Sequence, residues 1–207
     1  MNDLEKRILE ISWKNKSSHI SSCLSNVNII NDIYKIKRKD DIFMLSAAHG
    51  SLGWFTVLEH LFGYNAEELH LSHGTQSKRD LGHGILCSGG HLGQVLTVCI
   101  GFSLVNKDRD IYCLITDGEF FEGSVHESLN FIKENNLTNL KLYCNFNSYS
   151  AYSSVDVNFI SEIVLKYCPW AKIYKRNDEI YKQFPFLDGL EGHYHIISDE
   201  EWSQINA

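Results

Sequence analysis

Leu114–Asn147 reads LITDGEFFEGSVHESLNFIKENNLTNLKLYCNFN, and its two ends decide how the chain folds. An apolar, β-rich run from Ile111 to Thr116 is broken by Asp117-Gly118. An acidic stretch with Glu119 and Glu122 leads into a segment in which Val125, Leu129 and Ile132 share one helical face. A second apolar run, Leu140–Phe146, then ends at Asn147. Two short, mainly apolar, β-rich strands joined by an amphipathic helix read as a βαβ crossover in a parallel sheet buried on both faces.

The same alternation extends outward in both directions. Ile42–Ala47 (IFMLSA), Ala171–Arg176 (AKIYKR) and Tyr194–Ser198 (YHIIS) read as further strands. Ser51–Phe62, Leu92–Val105 and Val157–Tyr167 have helical spacing, and Leu4, Ile8 and Ile11 suit an amphipathic first helix. The chain has only two prolines, no Ser/Gly-rich linker and no internal repeat. We expect one domain, residues 1–207, with an α/β three-layer fold: a mostly parallel sheet with helices on both faces.

Bulk composition narrows the function. A net charge of −7 with no Lys/Arg cluster argues against a nucleic-acid surface; the one basic run, Lys35–Lys39, is followed at once by Asp40 and Asp41. No window approaches the roughly 18 apolar residues of a membrane span. The start, MNDLEKRILEISWKNK, scatters charge through what a secretory signal would keep apolar. The six cysteines are well separated, with no C-x-x-C pair, and Cys99, Cys113 and Cys144 sit in apolar runs. These readings point to a protein of the reduced cytoplasm.

In an open parallel sheet, ligands bind beyond the carboxyl ends of the strands. Asp117 and Asn147 both fall there. A glycine after the strand lets a phosphate approach the backbone, and the next helix offers free N–H groups. Asp117, Glu119 and Glu122 would repel a bare diphosphate, and a divalent cation resolves the conflict. Mg²⁺ takes hard oxygen ligands and shares them with substrate phosphates, so Asp117 and Asn147 read as two ligands of one ion. Taken singly, Asp-Gly is a common turn and a terminal Asn a common loop residue.

With these residues in view the chain resembles the diphosphate-binding, N-terminal domain of the thiamine diphosphate-dependent transketolases. Thr116-Asp117-Gly118 … Asn147 is similar to that family's G-D-G … N motif. Lys16–Tyr34 resembles its K-S-G-H segment, Asp40–Tyr64 its strand ending in S-x-G-H, and Ser88–Gln94 (SGGHLGQ) its T-G-P-L-G-Q turn. The resemblance runs from about Lys16 to Ser198 and implies the following roles. Asp117 and Asn147 would bind Mg²⁺, with the Tyr149 carbonyl as third ligand. Gly118 would face the diphosphate, with Glu119 beside it. Gly90 and Leu92 would lie against the aminopyrimidine, and Ala151 beside the thiazolium. His49 would stand near the diphosphate and reacting centre, and His19 near the substrate. Glu122 and Glu127 would link active sites across the interface between subunits. The bland readings are a helix cap for His19, core for Leu92 and solvated charges for the two glutamates.

Departures from the motif are as informative. Thr116, His91 and Val95 replace a Gly, the Pro and a Gly, and Gln76 stands where the family has a histidine. His73, His83 and His91 are all candidates to replace it. The glutamate that activates the cofactor in this family belongs to a pyrimidine-binding domain, for which 207 residues leave no room. The resemblance therefore implies one chain of a split enzyme. A second subunit would carry the pyrimidine domain, in an α2β2 heterotetramer. Together they would transfer a ketol or acyl unit from a ketose or 2-oxo acid to an aldehyde acceptor. Trp54, Phe55, Phe120 and Phe121 are candidate interface positions. The alternative is a non-catalytic binding or regulatory module of the same fold. No G-x-G-x-x-G follows the first strand, which disfavours a dinucleotide enzyme, and no H-E-x-x-H marks a metallohydrolase.

Overall fold

The computed structural model describes residues 1–150 and 153–206; Ala151, assigned to the thiazolium, lies outside them. Helices α1 (Asp3–Lys14) and α2 (Ile20–Ile36) precede β1 (Ile42–Leu45). Then come α3 (Ser51–Phe62), α4 (Ala66–His73), α5 (Gln94–Val105), β2 (Ile111–Thr116), α6 (Gly123–Glu134), β3 (Leu140–Phe146), α7 (Val157–Tyr167) and β4 (Lys172–Lys175). Three short helices follow: α8 (Glu179–Gln183), α9 (Gly189–Tyr194) and α10 (Asp199–Ile205). Two compact units form. The first is Met1–Asn31, His49–Ser77 and Asn177–Ala207; the second is Asp32–Ala48 and Lys78–Arg176.

The second unit holds the sheet. Its order is β1-β2-β3-β4, every pair parallel, with Ile42 opposite Ile111, Ile111 opposite Leu140 and Cys144 opposite Ile173. All three crossovers step the same way, so their right-handed sense puts α5, α6 and α7 on one face. There Val95, Leu96, Cys99, Val125, Leu129, Ile132, Ile160 and Val164 pack on Met44, Ile111, Cys113, Ile115, Leu142 and Cys144. The alternate residues Phe43, Tyr112, Leu114 and Tyr143 are buried on the opposite face, where Tyr34, in the last turns of α2, meets Phe43 at 5.6 Å between rings. Helices thus flank the parallel sheet on both sides. This explains why β2 carries six buried residues in a row rather than an alternating pattern.

In the first unit α1 packs on α3, and α3 on α4. Arg7 of α1 pairs with Glu59 of α3 at 2.8 Å, and Glu59 also accepts the Ala66 N–H that opens α4 (2.8 Å). Trp13 of α1 stacks on Trp202 of α10, ring centroids 4.9 Å apart. Among the described residues no helix is long and apolar enough to cross a membrane. All six cysteines are free thiols, and only Cys87 is not buried.

Two expectations need correction. Tyr194–Ser198 is not a strand: Tyr194 ends α9, and Ser198 caps α10 in a reciprocal box with Glu201. The apolar signal there is only Ile196 and Ile197, and helix-start chemistry on one side and a helix on the other outweigh it. Trp54, Phe55 and Phe120 are core residues, at most 2% exposed, and cannot form a surface; of the four aromatic positions only Phe121 is exposed.

Candidate functional site

Glu119 organises the strand ends of the second unit. Its carboxylate is fully buried and accepts the Ser46 hydroxyl just past β1, the Thr116 N–H at the end of β2 (3.0 Å) and the Gly93 N–H just before α5 (3.0 Å). Burial pushes its pKa up, opposed by these donors. Gly93 tolerates the arrangement because it is a glycine. Its φ is +77°, and a Cβ there would sit 2.6 Å from Ser124 Oγ and 2.8 Å from Glu122 Cβ. The SGGHLGQ turn is therefore pressed against the start of α6. Gly90 adopts φ +109°, and Leu92 beside it is half-buried.

Asp117 is 1% exposed at the end of β2. Its Oδ1 accepts the Gly118 N–H (3.1 Å) and its Oδ2 the Tyr149 N–H (3.2 Å). The same Tyr149 N–H lies 3.0 Å from Asn147 Oδ1. Carboxylate and amide oxygens from two adjacent strand ends thus converge on one donor. Ser148 makes the convergence possible by adopting φ +76°, an uncommon conformation for a residue with a side chain. Tyr149 meets the pair through its N–H. Desolvation raises the Asp117 pKa to about 6, because backbone N–H donors only partly offset burial. A buried carboxylate beside an amide oxygen, both hard donors, suits a divalent cation such as Mg²⁺, whose charge would remove that penalty. Among the described residues no group of three or more His, Cys, Asp or Glu side chains forms a metal cluster. Gly118 is half-buried beside Asp117, while Glu122 and Glu127 are exposed on the first turns of α6.

The first unit brings the two expected histidines together and adds a third. The ring of His19 lies 5.7 Å from His49 and 4.5 Å from His193, and His49 lies 5.6 Å from His193. Tyr194 closes the group at 4.8 Å from His193. His19 has φ +65°, and its N–H donates to the His193 carbonyl at 2.8 Å. Nδ1 of His19 is 2.8 Å from Ser18 Oγ, and Nδ1 of His193 is 3.3 Å from Ser22 Oγ. Burial, then the neighbouring His193 and His19, lowers the His49 pKa to about 3. Burial and His19 lower His193 to about 4, and burial lowers His19. All three rings are therefore neutral near pH 7.

Sequence reasoning gives His193 no role. Its one local signal is Gly192, where a Cβ would lie 2.2 Å from the Leu187 carbonyl carbon, so that a glycine is required for the chain to turn there. None of the three candidates to replace the histidine at Gln76 is clearly placed for that role. His73 is buried against Phe55 (5.1 Å), His83 Nδ1 lies 2.6 Å from Asp80, and His91 is exposed.

No family model matches the chain. It is 32% identical over 143 residues to one of the subunits of the apulose-4-phosphate transketolase of Phocaeicola vulgatus, an alignment covering 59% of this chain and 50% of that protein. It is 28% identical over 149 residues to the transketolase of Treponema pallidum, covering 61% of this chain and 22% of that one. The match thus spans half the length of the first relative and about a fifth of the second. The crystal structure of transketolase from Campylobacter jejuni superposes on 98% of this chain and 42% of its own, with a TM-score of 0.71 at 18% identity, a likeness of fold. The chain is therefore transketolase-like in sequence, and its fold is the one transketolases share.

Two outcomes follow from the geometry. Glu119→Gln places an amide N–H against at least one existing donor and should lower the unfolding free energy by about 1.5–3 kcal/mol in urea titrations; an unchanged midpoint would mean the clasp holds nothing. The depressed histidines favour the unfolded chain on acidification, since it takes up protons near pH 6.5 while the folded cluster resists until about pH 4. Their contribution to stability is complete above about pH 6.5 and is lost as pH falls through the interval below it. Unfolding curves at pH 7.5 and 5.0 should accordingly show a smaller acid loss for His49→Asn than for the wild type.

Proposed function

We propose that this chain is the diphosphate-binding domain of a split transketolase-like transferase, residues 1–207 acting as one functional domain with a second subunit. The observation that carries the reading is that the Asp117 carboxylate and the Asn147 amide oxygen, from adjacent strand ends, come together at the Tyr149 N–H. In this reading the two side chains hold Mg²⁺, the Tyr149 carbonyl is its third protein ligand, and Gly118 leaves room for the diphosphate. Gly90 and Leu92 face the aminopyrimidine. When bound, thiamine diphosphate supplies the reactive carbon and the electron sink of two-carbon transfer.

The chain's own residues do the positioning. Glu119 fixes the turn carrying Gly90 and Leu92 relative to the end of β2. His19, His49 and His193, neutral at the working pH, can each accept a proton at one ring nitrogen and donate from the other, as exchange at a sugar hydroxyl requires. The substrates proposed are a ketose or 2-oxo acid donor and an aldehyde acceptor. Two relatives, each named as a single subunit of an apulose-4-phosphate transketolase, support the two-chain arrangement and favour a phosphorylated sugar. The partner would bring the pyrimidine-binding domain and the activating carboxylate, in a cytoplasmic α2β2 assembly whose active sites Glu122 and Glu127 help to link.

The test begins with a pull-down of the tagged chain from its native lysate with thiamine diphosphate and Mg²⁺ present. A stoichiometric partner with a pyrimidine-binding domain supports the reading, while a clean, self-associated chain shifts it to a non-catalytic module. In the assembled complex, Asp117→Asn should weaken Mg²⁺-dependent cofactor binding by about 100-fold, measured calorimetrically, because the charge that offsets the cation is gone. Unchanged affinity would remove Asp117 from the metal site.

A further inference from the structure

The turn that carries His49 is held from α2 by two side chains. Cys23 Sγ lies 3.8 Å from the His49 carbonyl, and Asn26 Nδ2 donates to the Gly50 carbonyl at 3.1 Å. Asn26 is buried, and its carboxamide fills a slot that two glycines leave open. A Cβ on Gly50 would sit 2.1 Å from Asn26 Nδ2, and one on Gly53 would sit 2.2 Å from Asn26 Oδ1 and 2.7 Å from the Cys23 carbonyl. Gly50 is also the N-cap of α3, so the carbonyl that Asn26 holds lies at the start of that helix.

Asn26 is a poor choice for stability alone. Its Oδ1 is buried without a hydrogen-bond partner, and a leucine of similar shape would lose one hydrogen bond but also remove that orphan acceptor. A local rule broken in this way marks a position serving geometry rather than stability.

We propose that Asn26 is a positioning residue. By holding the Gly50 carbonyl, it fixes the His49 turn so that the imidazole stays packed against His19 and His193. The consequence for catalysis rests on the transketolase-like reading; the placement of the ring does not. Among the described residues the titratable groups around His49 are His19 and His193, with Tyr194 beside them and the Cys23 thiol at its carbonyl.

The experiment is an NMR titration of the histidine ring protons in the full chain, wild type against Asn26→Leu, with Asn26→Ser as a second variant. In the wild type His49 resists protonation to about pH 3. In a folded variant, judged by an unchanged far-UV spectrum, its midpoint should rise by more than one pH unit as the ring leaves its buried place. If the assembled enzyme is active, kcat should fall about tenfold or more with KM little changed. A folded variant in which His49 titrates as in the wild type overturns the proposal. If neither variant folds, Asn26 is a structural residue and the proposal falls equally. The titration reads out in a chain without enzymatic activity, so its failure is distinct from failure of the functional reading.

Discussion

Everything at the ligand edge of the sheet depends on one buried carboxylate. The Glu119 carboxyl group lies where water cannot reach it, and burial pushes its pKa up while donors from three separate stretches of chain oppose that. Because each donor belongs to a different element, the group works as a clasp: it fixes the end of β1, the end of β2 and the turn before α5 at mutually constrained positions. Buried charges are costly unless every acceptor position is met, so the arrangement tolerates little drift. Asp117, two residues earlier, inherits that rigidity. Like Glu119 it is buried, and the backbone donors around it only partly offset the cost of desolvation.

The first unit uses the opposite electrostatic strategy. Three imidazoles crowd together without charge, and burial, with His19 acting on both others and His193 on His49, makes their protonation harder. The cluster is assembled from parts distant in sequence: the residue before α2, the turn before α3 and the end of α9. Left-handed backbone at His19 and a glycine forced by the Leu187 backbone at position 192 make the approach possible.

Much of this is legible in the sequence, and the failures have physical causes. Short, mainly apolar, β-rich runs at Ile111–Thr116 and Leu140–Phe146, separated by a stretch with helical spacing, make the parallel sheet readable. Ser51–Phe62 and Val157–Tyr167 emerge with the expected bounds, the first ended by Gly63 in the left-handed region and the second started by an Asp156 cap. Tyr194–Ser198 misleads because two adjacent isoleucines mimic a strand while Ser198 and Glu201 spell a helix start. At the site, Asp117 and Asn147 are visible from their positions at strand ends. His193 is not, since no periodicity connects it to residues more than a hundred positions away. Glu119 stands out for its charge, but that its carboxylate is consumed by internal donors depends on three positions that no local pattern encodes.

The strand order has a consequence for how the edge is built in time. β2, β3 and β4 are joined by single-helix crossovers, so their pairing closes short loops. β1 meets β2 only after the whole span from Leu45 to Ile111 has been looped out, which costs more chain entropy. Ser46 travels with β1. The clasp on Glu119 is therefore expected to form after the β2–β3–β4 ladder and to open before it. Hydrogen exchange at the Thr116 and Gly93 amides would then report openings of the ligand edge that leave the β2–β3–β4 ladder intact.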